Sequence, residues 1–290
     1  MKKKITFFDI AVHAIAGFLL LIVLYPLIVV LSSSVSDPAL VATGEVVLLP
    51  KGFNLEGYKA VFRNKDILVG YANTLFYTVV GTIINLLVTV PAGYALTKKK
   101  VPGRNLVMTM FMITMYFSGG LIPIFLFVKA YGLYNTRWVM LIMGAFSTYN
   151  CIICRSFFAA MPVELEEAAE IDGCNPLRTF IQIVIPLSKA LLGVMVLYFG
   201  VTHWNSYFTG MIYLKEDYMQ PLQVFLRRIL ILAQSAMNIE EGGEYAAAMA
   251  DREALIRYAV IVVSSAPLLI LYPFLQKYFD KGVLIGSVKG

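Results

Sequence analysis

The sequence predicts an all-α integral membrane protein with six transmembrane helices, and two observations support that prediction. Of the 290 residues, 59% are hydrophobic and only 14% are charged, whereas soluble chains are about 45–50% apolar and about 25% charged. Six runs contain no Asp, Glu, Lys or Arg, and a spanning helix needs about 17–25 apolar residues. The runs are 10–36, 67–97, 105–128, 138–154, 190–214 and 258–276.

The first run follows a basic start, Met1 to Lys4, which is typical of secretory signals. Its apolar stretch is too long for a signal, however, and it ends in serines without an Ala-x-Ala cleavage site. We therefore expect an uncleaved anchor helix and an extracytoplasmic loop over 1–69. A transmembrane core over 70–281 and a cytoplasmic tail over 282–290 complete the expected organisation.

The positions of the basic residues predict the orientation of the spans. The short turn 98–104 holds four basic residues, and each terminal segment holds three. The short segments on the other side hold only Lys129 and Arg137. Because short cytoplasmic loops are enriched in Lys and Arg, both termini are predicted to be cytoplasmic. The net charge of +6 is explained by this topology and does not indicate nucleic-acid binding.

No residue pattern predicts a catalytic or metal site. Cys151 and Cys154 form a Cys-x-x-Cys pair, but it lies inside a predicted span without a His or a second pair at ligand spacing. We expect both thiols to be small buried side chains. His13 and His203 lie on different spans with no nearby carboxylate. If ATP is used, another chain must bind it.

The longest predicted cytoplasmic loop, 155–189, has the signals of two short helices. In the first, Pro162 fits the first helical position, three glutamates follow in the first turns, and Gly173 fits a left-handed stop. Leu165, Ala168, Ala169 and Asp172 share one face of this helix. The small alanines would let a partner backbone approach closely.

A second, amphipathic helix should begin at Asn175-Pro176, an N-cap followed by a first-turn proline. Its apolar face should end at Pro186, and the residues of that face are Leu177, Phe180, Ile181 and Val184. The two helices predict a compact cytoplasmic knob. From the residues alone, it is either a docking surface or a connector that lies on the lipid headgroups.

The spacing within this loop resembles the EAA signature of bacterial ABC importer permeases. Glu167-Ala168-Ala169 is followed by three residues and Gly173, then by nine residues and Ile183-Val184-Ile185-Pro186. Only Ile185 departs from the pattern, which usually has Leu there. The tail 286–290 is similar to the end of carbohydrate-importer permeases, and 119–123 and 131–136 resemble the subgroup that imports oligo- or polysaccharides, including uronic-acid types.

The resemblance implies a type I ABC permease that moves an oligo- or polysaccharide through the bacterial cell membrane by alternating access. It implies a second permease subunit in a heterodimer, two ATPase subunits that bind ATP and Mg, and an extracytoplasmic sugar-binding protein. No cofactor is expected in this chain. The coupling residues that the resemblance assigns are Glu167, Ala168, Ala169, Asp172, Gly173 and Pro186.

The fifth predicted span has a polar stripe that could line a sugar path. The stripe consists of Tyr198, Thr202, Asn205 and Thr209. Trp204 and Tyr207 flank it, and Ser147 and Asn150 on the fourth span have the same character. The alternative is interhelical hydrogen bonding, which is common for these residue types in bilayers.

Two long extracytoplasmic segments, 37–66 and 215–257, carry nearly balanced charges, which suits docking to a protein. Within the second, 234–249 either contacts the binding protein or is a solvated loop, and 229–239 is predicted to be part of a loop because it is too short to span. A permease for amino acids or peptides stays open, and an intramembrane enzyme is a remote alternative. The enzyme would need paired carboxylates, a Ser/His pair or a metal set at membrane depth, but the six runs contain no carboxylate. A channel would need a charged ring or a filter sequence, and the sequence shows no such element.

Overall fold

The computed structural model describes residues 6–237, 256–273 and 276, and over these residues it is helical without a strand. This confirms the all-α prediction. A π-helical turn, Phe180–Val184, joins two short helices, and a 3₁₀ turn, Asp217–Met219, precedes a longer one. The helices are α1 (Phe7–Ser34), α2 (Pro38–Ala42), α3 (Glu56–Arg63), α4 (Lys65–Ala95), α5 (Arg104–Tyr116), α6 (Leu121–Ala130), α7 (Arg137–Ile142), α8 (Thr148–Ala159), α9 (Glu164–Ile171), α10 (Pro176–Thr179), α11 (Ile185–Leu187), α12 (Lys189–Trp204), α13 (Tyr207–Tyr213), α14 (Leu222–Met237) and α15 (Ile256–Pro273).

Three helices in the described ranges are long and apolar enough to cross a bilayer: α1, α4 and α15. Two bent helix pairs raise that number to five if each pair is one span. The predicted fourth span, 138–154, is divided between α7 and α8. The count of six spans therefore stays a prediction.

The predicted third span is not one straight helix. α5 and α6 meet at 117° across the break at 117–120. Gly120 has a φ of +83°, a conformation that glycine adopts without steric cost. With 13 residues, α5 alone is only about 20 Å long, so it does not reach across a bilayer core by itself.

The structure also corrects the loop predicted at 229–239. Helix α14 continues to Met237, so residues 229–237 are helical. The prediction considered only the apolar run, whereas the helix starts seven residues earlier, directly after Pro221. A proline is tolerated at the entry of a helix because the first amides have no intrahelical acceptor.

The described residues belong to two units, the first of which runs up to Leu68 and includes 225–267. In it, serines at the C-terminal end of α1 bind the loop that follows. The Ser32 hydroxyl donates to the Leu48 carbonyl at 2.7 Å, and the Ser34 hydroxyl is 2.8 Å from the Tyr58 hydroxyl. Ser36 is also buried, and its hydroxyl donates to the Ser32 carbonyl at 2.6 Å. These bonds satisfy polar groups that would otherwise be buried alone.

The second unit covers Val69–Val224 and the residues from Leu268. In this unit, helix α4 has an inverted amphipathic pattern, because its buried face carries polar residues and its exposed face is apolar. The buried polar residues are Asn73, Thr74, Thr82, Asn85 and Thr89. The exposed apolar residues include Leu75, Val79, Ile83 and Leu87. Such a pattern is typical of a helix that faces lipid on the outside.

The two ends of α4 are fixed by different contacts. Towards its N-terminus, the Asn73 amide donates to the Tyr218 carbonyl at 2.8 Å, and the Tyr77 hydroxyl donates to the Met219 carbonyl at 2.7 Å. At its C-terminus, Tyr94 packs into an apolar cluster with residues of α8, the π-helical turn and α12. One helix therefore links both ends of this unit.

Candidate coupling surface and polar cavity

Helix α9 begins two residues later than the sequence predicted. Pro162 lies outside the helix, and Val163 is the capping residue. The amides of Glu166 and Glu167 both donate to the Val163 carbonyl, at 3.0 and 3.1 Å. Because that carbonyl is the first helical acceptor, Glu164 rather than Pro162 opens the helix. The early glutamates still lie where the helix dipole favours anions.

The turn after α9 has the geometry that the sequence indicates. Gly173 has a φ of +77°, and the Cys174 amide donates to the Ala169 carbonyl at 2.9 Å. The Asn175 side chain then accepts from the Arg178 amide at 2.8 Å, and Pro176 is the first residue of α10. A left-handed stop and a side-chain cap therefore define the join between the two helices.

The second helix departs from the prediction at Pro186, which does not end it. The Ile185 amide donates to the Phe180 carbonyl in the wider π turn, so Pro186 stands in the first turn of α11, where a missing amide costs little. Of the predicted apolar face, Leu177 and Ile181 are exposed, whereas Phe180 and Val184 are buried. The Phe180 ring lies 4.8 Å from that of Tyr94.

The bend between this helix and α12 occurs at Ser188. Pro176–Leu187 and α12 meet at 83°, and the buried Ser188 hydroxyl donates to the Val184 carbonyl at 2.7 Å. The Ser188 amide donates to the same carbonyl at 3.1 Å, so both donors of the serine bond to the last turn of the helix before the bend.

The six predicted coupling residues differ in whether they are exposed or buried within the chain. Ala169 is 2% exposed, so its methyl group packs inside the chain and is not available to a partner in this conformation. The exposed members are Glu167, Ala168, Asp172, Gly173 and Pro186. Ala168 is consequently the one small side chain of the predicted docking face that stays outward.

Two lysines of the basic turn pair with glutamates of α9, which the sequence did not reveal. Lys98 forms an ion pair with Glu166, and both side chains are about 30% exposed, at 29% and 31%. Lys100 is 3.3 Å from Glu170, but both of these side chains are mostly exposed. The paired residues are about 70 positions apart in the chain, and no local pattern indicates such a contact.

A cavity of about 420 Å³ lies among α4, α7, α8, α12 and α13. Three of the four predicted path residues line it: Thr202, Asn205 and Thr209. Tyr198 does not line it and is 41% exposed. Ser147 and Asn150 contribute to the wall from α8 and its N-cap.

Asn85 and His203 form a buried polar pair in the cavity wall that the sequence analysis missed. The Asn85 amide nitrogen donates to the Gly144 carbonyl at 2.5 Å. Its oxygen therefore faces the imidazole, 2.6 Å from Nε2, and we assign the Nε2 proton to His203 on that network. A β-carbon at Gly81 would collide with the imidazole, so glycine gives the ring its space. Thr82 and Asn85 are three residues apart and share the buried face of α4. This spacing is the one signal in the sequence that could have indicated a polar wall here.

Several hydroxyls near this pair are buried without a hydrogen bond. Among the residues that the structure describes, Thr78, Thr82, Thr89 and Ser206 have a buried hydroxyl with no partner.

Cys151 and Cys154 are buried free thiols. Within the described ranges, no three His, Cys, Asp or Glu side chains are grouped to hold a metal ion.

Comparison with known proteins gives concordant matches over the chain. The family described as "Binding-protein-dependent transport system inner membrane component" matches residues 67–285. The polygalacturonan/rhamnogalacturonan transport system permease protein YtcP of Bacillus subtilis (strain 168) is 37% identical over 290 residues, which are 100% of both chains. Protein LplC of the same organism is 38% identical over 283 residues, which are 98% of this chain and 95% of LplC.

A solved structure also matches nearly the whole chain. It is the crystal structure of a bacterial ABC transporter involved in the import of the acidic polysaccharide alginate. One of its chains superposes with a TM-score of 0.85 and 35% identity, which covers 96% of this chain and 99% of that chain.

Proposed function

Because this chain belongs to the family of binding-protein-dependent transport system inner membrane components, we propose that it imports an oligo- or polysaccharide that contains uronic acid. The chain is a membrane-embedded permease subunit of an ABC importer and not an enzyme. The substrate class is supported by the names of its relatives, of which one transports polygalacturonan and rhamnogalacturonan and another imports an acidic polysaccharide.

The lining of the cavity is the structural observation that supports a saccharide. Hydroxyl, amide and imidazole groups alternate there with Met and Phe side chains, and the described lining includes no Asp, Glu, Lys or Arg. Sugar hydroxyls bond to such neutral groups. The charged termini of an amino acid or peptide would be left unpaired among them, which is costly. The same cost applies to the carboxylates of a uronic-acid sugar, so these would have to be paired by groups of other subunits of the importer, and the preference for a saccharide over a peptide rests on the relatives.

An ABC importer permease works with an ATPase and a substrate-binding protein. We propose two ATPase subunits that bind ATP and Mg, and a second, different permease subunit beside this one. Both termini would be cytoplasmic, and the tail 282–290 lies outside the described residues. Of the segment 234–249, predicted to contact the binding protein or to form a solvated loop, residues 234–237 end α14 and residues 238–249 lie outside the described ranges.

In this proposal, α9 is the helix that contacts the ATPase. Its exposed Glu167, Ala168 and Asp172 provide carboxylates for cationic or backbone donors and a small surface for close approach. ATP-driven closure of the ATPase pair would move α9 and convert the spans between inward-facing and outward-facing states. The polar cavity would hold the sugar between these states.

ATP-dependent uptake into proteoliposomes tests the substrate class. The importer would be assembled from this chain and its partner subunits, and labelled oligogalacturonides of two to six residues, maltotriose and a tripeptide would be the probes. We expect uptake of the oligogalacturonides and none of the tripeptide. Uptake of the tripeptide alone would overturn the proposal in favour of a peptide permease.

The replacement Asn205→Leu tests whether the cavity lies on the sugar path. The Asn205 amide donates within its own helix, to the Val201 carbonyl at 3.0 Å, and the side chain is exposed to the cavity. Its loss should therefore leave the yield and the melting temperature near normal. Loss of one neutral hydrogen bond to the sugar should lower uptake by about twofold to tenfold.

Tyr198→Phe is the matched control, because Tyr198 was predicted on the same stripe but does not line the cavity. Its uptake should equal that of the wild type. Unchanged kinetics in the Asn205 variant for every saccharide imported would place recognition on the partner permease and the binding protein.

A further inference from the structure

The ion pair between Lys98 and Glu166 is partly buried, whereas the pair between Lys100 and Glu170 is exposed. The Lys98 ammonium reaches both carboxylate oxygens of Glu166 and also lies 3.9 Å from the centre of the Tyr94 ring. Partial burial strengthens both contacts, because less water screens them. The pair of Lys100 with Glu170 is exposed, and such surface pairs contribute little.

The Tyr94 ring beneath this pair belongs to an aromatic cluster. It lies 5.5 Å from the Phe158 ring of α8 and 4.8 Å from the Phe180 ring of the π-helical turn. Lys98 follows α4 by three residues, and Glu166 lies in the first half of α9. The ion pair therefore joins α9 to the turn that follows α4, above a packed aromatic cluster.

Helix α4 connects this point to the cavity. Asn85 lies nine residues before Tyr94 on α4, about 14 Å at 1.5 Å per residue, and Pro91 stands between them in the helix. Through Asn85, α4 holds His203 of α12 at 2.6 Å. A displacement of the C-terminal end of α4 would thus reach the cavity wall along one helix, which continues through Pro91 without a break.

The covalent route from α9 to the cavity is less direct. It passes through α10, the π-helical turn and α11, and then turns by 83° at Ser188 before it enters α12. A side-chain link from α9 to α4 avoids that bend.

We propose that Lys98 is a positioning residue for transport, whose ion pair with Glu166 transmits the motion of α9 to α4 and so to the Asn85–His203 wall of the cavity. This proposal rests on the proposed function, because it requires that an ATPase moves α9. Lys98 contacts neither sugar nor ATPase in this arrangement; it fixes the position of one helix on another.

A charge exchange tests the link directly. The variants Lys98→Glu, Glu166→Lys and the double exchange would be purified in the complete importer, with Lys100→Glu as the matched control from the exposed pair. Each single variant should keep basal ATP hydrolysis and complex yield, while sugar uptake per ATP hydrolysed falls by about tenfold. Lys98→Arg should keep uptake, and the double exchange should regain part of it, because it restores the ion pair but places a carboxylate over the Tyr94 ring. Lys100→Glu should resemble the wild type.

Three results would overturn the proposal: wild-type uptake per ATP in both single variants, failure of the double exchange to regain any uptake, or loss of assembly in the single variants. The two proposals can fail separately. If the wild-type importer moves no saccharide probe, the proposed function is wrong. The ion pair is then assessed from ATP hydrolysis stimulated by the binding protein, which both single variants should lose and the double exchange should regain.

Discussion

The variant Gly173→Pro is expected to lose all stimulation of ATP hydrolysis by the binding protein while the importer stays assembled in the membrane. Gly173 has a φ of +77°, and the proline ring fixes φ near −65°. The replacement also removes the Gly173 amide, which donates to the Glu170 carbonyl at 3.1 Å, and it disfavours a helical conformation at Asp172. The last turn of α9 would unfold, and α10 would leave it at a different angle.

Gly173→Asn is the control for this experiment, because asparagine tolerates the left-handed conformation better than other residues with a side chain. It should keep most of the stimulated rate. The assay compares ATP hydrolysis with and without saturating binding protein and sugar. A stimulated rate in the proline variant equal to that of the wild type would remove α9 from the coupling path.

The variant Trp204→Ala should cause a large loss of stability. Trp204 is 3% exposed at the end of α12, and its ring packs edge-on at 5.8 Å from that of Tyr71. Removal of a buried tryptophan costs about 3–5 kcal/mol. The melting temperature of the purified importer should fall accordingly.

The protein has two tryptophans, and the other one provides the control. Trp138 is 59% exposed on α7, so Trp138→Ala should shift the melting temperature much less. Equal shifts for both variants would show that Trp204 faces lipid or an open space in solution rather than a packed interior.

The sequence predicted features that depend on a few neighbouring residues. The left-handed stop at Gly173 and the cap at Asn175 each follow from one residue type at one position, and both are present. The uncharged run 67–97 likewise predicts α4, because an apolar run of that length can cross a bilayer as one helix. These signals are local, and they are readable without knowledge of the rest of the fold.

The sequence did not reveal contacts that join distant segments. Asn85 and His203 are 118 positions apart, and neither lies in a pattern that indicates the other. The bend at 117–120 was missed because an apolar run does not report a change of direction. Ala169 was predicted to face a partner because a short amphipathic helix shows which residues share a face, but not which face the chain itself covers.

Biosynthesis of this subunit depends on how readily each segment partitions into lipid alone. α1 is the most apolar of the candidate spans in the described ranges, and its apolar core makes no buried contact, so it can leave the translocon as a single helix. α4 has a face of threonines and an asparagine, and polar groups disfavour insertion near the bilayer centre. Its stable insertion should await the synthesis of α12, more than 90 residues later, whose His203 supplies the partner of Asn85. Slowing translation between these two segments should therefore increase degradation of the nascent chain, whereas slowing it just after α1 should not.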